Sequence, residues 1–231
     1  MIMKIKQIFA KARKEKRKNL LEPEARMVLE HYKIPLPKWK VVKSAKEANE
    51  FAEKIGYPVS LKIVSKDIVH KSDVGGVFVF LDNKKSVEDS FNQIMKNVKK
   101  HASKAKIEGV ICSKMIEQSH PVIVGGLKDS VFGSTIMFGH GDVFVELLDD
   151  VSFRVLPIDR KEAEEMMKET KVYHILKGYR GHPVDHNAVV DILMKTAKLL
   201  EQNPEIKELD MNPIFVLRKG AYAVDARIIL E

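Results

Sequence analysis

The chain has 231 residues, 45% apolar and 31% charged, with 40 basic against 32 acidic side chains and a formal net charge of +8. That apolar fraction supports a sizeable core and excludes global disorder. The longest apolar runs are strand-length, far short of the ~20 residues that span a membrane. Cys112 stands alone, which excludes an intrachain disulfide framework and a cysteine-rich zinc site. With no apolar leader core behind the basic start, a cytoplasmic location is expected.

The charge is concentrated at the beginning. Residues 1–20 hold eight basic side chains against Glu15 alone, a net +7, so the rest is nearly neutral. Ile5, Ile8, Phe9 and Ala12 recur there at helical spacing and predict a short amphipathic helix. Such a basic run invites a nucleic-acid reading. Phe9 is its only aromatic residue, so it offers no stacking platform, and a solvated helix packed by one apolar stripe is favoured.

Ala25, Val28, Leu29 and Tyr32 share one helical face, and Pro35 and Pro37 end that pattern. Ser44 and Glu47 form a capping-box pair ahead of Ala48, Phe51, Ala52 and Ile55, with Gly56 as the stop. Val59, Leu61 and Ile63 alternate with Ser60 and Lys62 as in a strand. A polar loop, 65–76, leads to the strand-like 77–81. Val87, Phe91, Ile94 and Val98 then mark a helix.

From about residue 108 the chain turns β-rich, with short apolar runs separated by Gly or Asp, among them DVFVELL at 142–148. Asp159 and Glu162 cap a helix carrying Ala163, Met166 and Met167. A further helix covers 187–200, and two closing strands flank Lys219-Gly220. The expectation is an α+β chain divided into a basic helix (1–20), a first lobe (21–112) with the loop 65–76, and a second lobe (113–231).

Two stretches could do chemistry. In the loop 65–76, Lys62 leads in and Gly75-Gly76 lead out. Paired glycines let backbone amides approach a phosphate, and a strand lysine supplies a point charge. His70 lies beside Lys71 and near Asp73; a neutral imidazole is a competent nucleophile toward phosphorus, and a carboxylate can fix its tautomer. The competing reading is a polar turn with a surface histidine. The second stretch is Asp210-Met211-Asn212-Pro213 followed by Asp225. A hairpin around Lys219-Gly220 would bring Asn212 and Asp225 together, and hard oxygen donors suit Mg²⁺. Here the competing reading is an Asn-Pro turn and a solvent-facing aspartate. Glu146 and Arg154 are charges within apolar strands, and Arg154 could clamp a phosphate. No Walker A, GxGxxG or GxSxG sequence is present.

Several long segments in one order now identify a resemblance: LLEPEARMVLEHYKIPLP, GYPVSLKIVSKDIVHKSDVGGV, IMFGHGDVFVELLDDVSFRVLPI, ILKGYRGHPVD and IKELDMNPIFV with AVDARIIL. From Leu21 to the end the chain resembles the beta subunits of archaeal ADP-forming acetyl-CoA synthetases, which are ATP-grasp proteins. The resemblance implies an ATP-grasp fold with nucleotide between two α/β lobes. It also implies a CoA-binding alpha subunit as partner, a heterotetramer, and ATP/ADP with Mg²⁺ as cofactors. The implied reaction turns acyl-CoA, ADP and phosphate into acid, CoA and ATP through a phosphohistidine.

In this sequence the match makes His70 the phosphate carrier and Lys62, Gly75 and Gly76 phosphate-facing. Ser113, Lys114 and Met115 stand at the adenine hinge, Arg154 meets phosphate, and Asn212 and Asp225 are the Mg²⁺ ligands. The chain also departs from the family. Pro121 stands where a glutamate is usual, Lys114 replaces an acidic hinge residue, and His140 and Asp142 interrupt a glycine-rich turn. The alternative these imply is a divergent, weakly active nucleotide-binding or regulatory subunit.

Overall fold

The computed structural model describes residues 5–68, 70–117, 119–141, 150–178 and 183–231. Asp142, Glu146 and the expected strand at 142–148 lie outside the described residues. Contacts divide the chain into a larger unit, Met1–Leu36 with Glu117–Glu231, and a smaller one, Pro37–Ile116.

In the larger unit, α1 (Ile5–Lys14) buries Ile5, Ile8, Phe9 and Ala12, the four residues of the predicted stripe. Its basic face is left to solvent, as in a helix packed by one apolar stripe. Helix α2 (Glu22–His31) buries Ala25, Val28 and Leu29 in the same core. The expected partition therefore shifts: residues 1–36 join the larger unit, because the apolar faces of α1 and α2 are completed by the C-terminal half of the chain.

The smaller unit is a four-stranded antiparallel sheet built from β1 (Trp39–Val42), β2 (Val59–Ser65), β3 (Val77–Leu81) and β4 (Ile107–Lys114), in the order β1-β4-β2-β3. Helices α3 (Ala45–Ile55) and α4 (Lys84–His101) bury Ala48, Ala52, Val87, Ile94 and Val98 against Val59, Leu61, Ile63, Val110 and Cys112. Period-2 alternation puts Lys62 on the opposite face of β2.

The larger unit carries a six-stranded antiparallel sheet of β5 (His120–Asp129), β6 (Gly133–His140), β7 (Val151–Val155), β8 (Ile206–Val216), β9 (Ala221–Ala223) and β10 (Arg227–Leu230). Its order is β10-β8-β5-β6-β7, with β9 also on β8. Helices α5 (Arg160–Lys168), α6 (Lys171–Leu176) and α7 (His186–Gln202) pack on one face. Asp159 and Glu162 close α5 with both bonds of a capping box, at 2.8 and 2.9 Å. Pro121 sits at the beginning of β5, where its carbonyl accepts the Gly141 amide at 3.0 Å and, lacking an N–H, it returns no bond.

Candidate functional site

Cross-strand register decides which polar residues of the larger unit share a face. Asp210 stands opposite Gly125, Gly125 opposite Met137, and Met137 opposite Phe153. These residues, with Asn212 two positions along β8, lie on the face away from the helices. Leu209, Gly126, Ile136 and Arg154 form the next row, on the helix-covered face. The expected phosphate arginine thus points away from Asp210 and Asn212. Its guanidinium is ion-paired with Glu169 just beyond α5, and Ser152 Oγ donates to the same carboxylate at 2.5 Å. The Arg154 and Ser152 bonds hold the Glu169 carboxyl below its usual range.

The register sets Asn212 and Asp225 across from one another, though Asp225 lies between two strands and not on the adjacent strand expected. Strand β9 pairs with β8 at Ala223↔Ile214, and β10 resumes at Arg227↔Asp210. Between them 224–226 step out of the ladder. One alignment runs through both pairings, so position 225 stands opposite 212. Val224 N–H donates to the Pro213 carbonyl at 3.1 Å and fastens the step beside Asn212. Asp225 Oδ1 accepts the Ala226 amide at 2.9 Å.

Asp210 is the member of this corner not assigned a role from sequence. Its Oδ1 is buried without a hydrogen bond. Burial, then the charge of Asp225, pushes its pKa up to about 6, against the lowering effect of Arg227. A usable signal was present: Asp210 and Asn212 are two apart on a strand and must share a face. Among the described residues no cluster of three or more acidic, His or Cys side chains forms a metal cage. An orphaned buried carboxylate oxygen beside an Asn–Asp pair still fits a hard divalent cation that takes its other ligands from phosphate and water.

In the smaller unit, Lys62 stands opposite Val77, the residue after Gly76, so the lysine, midway along β2, meets the paired glycines where β3 begins. Each glycine has a packing reason. Gly75 has φ +61°, and a Cβ there would lie 2.5 Å from Asn97 Nδ2, which donates to the Gly75 carbonyl at 2.9 Å. A Cβ on Gly76 would lie 2.5 Å from Ile63 Cγ2. The loop is tied at its other end by Asp67, whose carboxylate accepts the Lys106 amide at 2.7 Å, and by buried Ile68. His70 is exposed between these ties, and Asp73 is exposed in the following turn. Among the described residues no hydrogen bond joins the two side chains.

The expected hinge, Ser113, Lys114 and Met115, closes β4. Ser113 is buried opposite Ser60, on the Lys62 face. Lys114 Nζ donates to the carbonyls of Gly56 and Tyr57. The amides of Lys114 and Met115 donate to the carbonyls of Lys38 and Pro58 at 2.8 and 3.1 Å. Both amides are therefore used within the fold.

A model of the ATP-grasp domain matches residues 11–230. The chain belongs to the ATP-grasp family. It is 46% identical over 230 residues to the beta subunit of ADP-forming acetate–CoA ligase I of Pyrococcus furiosus, with 99% of each chain covered. ADP-forming acetate–CoA ligase I of Archaeoglobus fulgidus is 47% identical over 204 residues, 88% of this chain but 30% of that longer protein.

Among solved structures, the acetyl-coenzyme A synthetase 1 of Candidatus Korarchaeum cryptofilum with coenzyme A and Ca-AMPCP matches with TM-score 0.94 and 44% identity, covering 99% of this chain and 100% of that one. The same synthetase with Mg-AMPPCP, its phosphohistidine segment pointing towards the nucleotide binding site, matches with TM-score 0.88 and 41% identity over the same shares of each chain. The close homologues are ATP-grasp beta subunits of ADP-forming acetate–CoA ligases. The ATP-grasp fold, two antiparallel sheets with their helices, is the one expected from the sequence. Among the described residues no helix is long and apolar enough to cross a membrane.

Proposed function

We propose that this chain is the nucleotide-side subunit of an ADP-forming acid–CoA ligase, converting acyl-CoA, ADP and phosphate to acid, CoA and ATP. The full-length identity to the Pyrococcus beta subunit carries the reading. The Archaeoglobus relative, in which this chain corresponds to 30% of a single longer protein, supports a partner. A separate CoA-binding alpha subunit supplies the remainder, in a heterotetramer in the cytoplasm.

The chemistry assigns roles. Inorganic phosphate is not a phosphoryl donor to an imidazole, so it must first be joined to the acyl group on the partner, releasing CoA. A neutral nitrogen of His70 attacks the phosphorus of that acyl phosphate and the carboxylate leaves. An oxygen of the ADP β-phosphate then attacks the phosphohistidine, and the imidazole leaves as ATP forms. A phosphoramidate lies near ATP in transfer potential, so the relay runs either way. His70 supports this role by its exposure on a loop tied at both ends.

Lys62 supplies positive charge to the nucleotide phosphates beside the turn ending in Gly75 and Gly76, and Ser113, Lys114 and Met115 form the hinge against the base. Asn212 and Asp225 would hold Mg²⁺, which when bound neutralises phosphate charge during transfer. Asp210 adds a third oxygen donor at that corner. Arg154 supports Glu169 rather than phosphate.

Co-expression with a candidate alpha subunit, followed by a screen of acyl-CoAs with ADP and phosphate, tests the activity. ATP formation dependent on acyl-CoA is expected. A complex that binds nucleotide but forms no ATP with any acyl-CoA would favour the regulatory alternative.

A further inference from the structure

Helix α2 carries a buried ion pair that the proposed chemistry does not use. Arg26 and Glu22 have side chains 1% and 2% exposed, one helical turn apart. Arg26 Nε and Nη2 donate to Glu22 Oε1 at 3.0 and 2.8 Å. Nη2 also donates to the carbonyl of Val224 at 2.9 Å, across 198 positions of sequence. Removing two charges from water costs about as much as their attraction returns, so an apolar pair of similar size would serve stability as well. An apolar pair could not donate to a carbonyl.

That carbonyl belongs to the peptide joining Val224 to Asp225, inside the step between β9 and β10. On one side Val224 N–H is held by the Pro213 carbonyl at 3.1 Å. On the other, Val224 C=O is held by Arg26. The first bond holds the 223–224 peptide and the second the 224–225 peptide, so together they fix the backbone on both sides of Val224, immediately ahead of Asp225. We propose that Arg26, itself aimed by Glu22, is a positioning residue that sets the Asp225 carboxylate opposite Asn212 for a divalent cation. The inference rests on the reading of Asp225 as a metal ligand.

The test uses the purified full-length chain, with Mn²⁺ as the probe in the presence of ADP, its binding followed by electron paramagnetic resonance. The decisive variant is Glu22→Met with Arg26→Met, which keeps the volume and removes both charges and the donor. A melting temperature near that of the unaltered chain is expected, with Mn²⁺ affinity lowered roughly 10–100-fold, the range for loss of an outer-shell partner of a metal ligand. ADP affinity in EDTA should be unchanged. Unaltered Mn²⁺ affinity in this variant overturns the proposal.

If the double variant does not fold, Arg26→Lys and Glu22→Gln replace it. The lysine is a compact point charge that cannot serve Glu22 and Val224 in one planar fork, whereas Glu22→Gln leaves the arginine donor in place. Greater loss of Mn²⁺ affinity in Arg26→Lys supports the proposal, and equal effects overturn it. Asp225→Asn separates the two levels. Full Mn²⁺ affinity in Asp225→Asn would remove the metal reading itself, whereas its loss alongside normal binding in the apolar pair would remove only the role of Arg26.

Discussion

The 224–226 step of the larger unit and the 66–75 loop of the smaller one are both irregular backbone between strands, yet they are fastened in opposite ways. The step is three residues long, continues the alignment on β8, and is bonded on both sides of Val224, by Pro213 and by buried Arg26. Among the described residues the loop is tied at Asp67 and at Gly75, with turn bonds from the Gly75 and Gly76 amides to the Ser72 and Lys71 carbonyls, and its histidine is exposed ahead of that turn. A group that clamps charge works by being already in place. A group that carries phosphate has to leave one partner and reach another. Under the proposed function, the same chain supplies a fixed mount for the first and a tethered one for the second.

Substitutions can break this contrast, from the most severe to the mildest. His70→Ala should lower acyl-CoA-dependent ATP formation more than about 10³-fold, because a nucleophile has no substitute. ADP binding, measured by calorimetry, should remain close to that of the unaltered chain. Asp225→Ala should do the reverse, weakening Mg²⁺-dependent nucleotide binding by roughly 10²-fold or more. The chain would remain phosphorylatable from the acyl side, and an unaltered Mg²⁺ requirement would contradict the metal assignment.

Asp210 gives the fixed corner a pH signature. Its folded pKa of about 6 lies above the ordinary 3.8 of an aspartate, so between those values the folded state holds the proton that the unfolded state has released. The contribution of Asp210 to the stability of the metal-free protein should therefore fall as pH rises from about 4 to about 6 and level off above. Asp210→Asn should remove that slope and, in EDTA at pH 7, stabilise the fold by on the order of 2–3 kcal/mol. Denaturant titrations of both chains across this range measure the difference between them, and a difference that does not change with pH would contradict the assignment.

Gly75→Ala should destabilise the smaller unit by about 1–2 kcal/mol, since φ is +61° and Asn97 occupies the space a Cβ needs. An unchanged unfolding midpoint would show that the tie is slack. Arg154→Met should be mildest, changing nucleotide affinity less than about twofold and stability by at most ~1 kcal/mol through the lost Glu169 pair. A large loss of nucleotide affinity would return Arg154 to the phosphate site.

What was legible in the sequence was local. The stripe of Ile5, Ile8, Phe9 and Ala12, the Asp159–Glu162 box and the turn at Lys219-Gly220 are set by neighbours a few residues apart, and each has its counterpart in the fold. Asn212 and Asp225 could be paired because one turn relates them. The face on which Arg154 lies could not be read, because it depends on registers running through β8, β5, β6 and β7. Arg26 was hidden for a similar reason: on α2 it is one polar residue among several, and its bond to Val224 spans most of the chain. The return of residues 1–36 to the larger unit is likewise a property of packing and not of local pattern.

The central claim is that His70 carries the phosphate. The complex with a CoA-binding partner, given acyl-CoA and ³²P-phosphate without ADP, should acquire an acid-labile, base-stable label. Mass spectrometry should place it on His70, and adding Mg²⁺ and ADP should chase it into ATP. Label confined to another residue, or full ATP formation with His70 never labelled, would contradict the account.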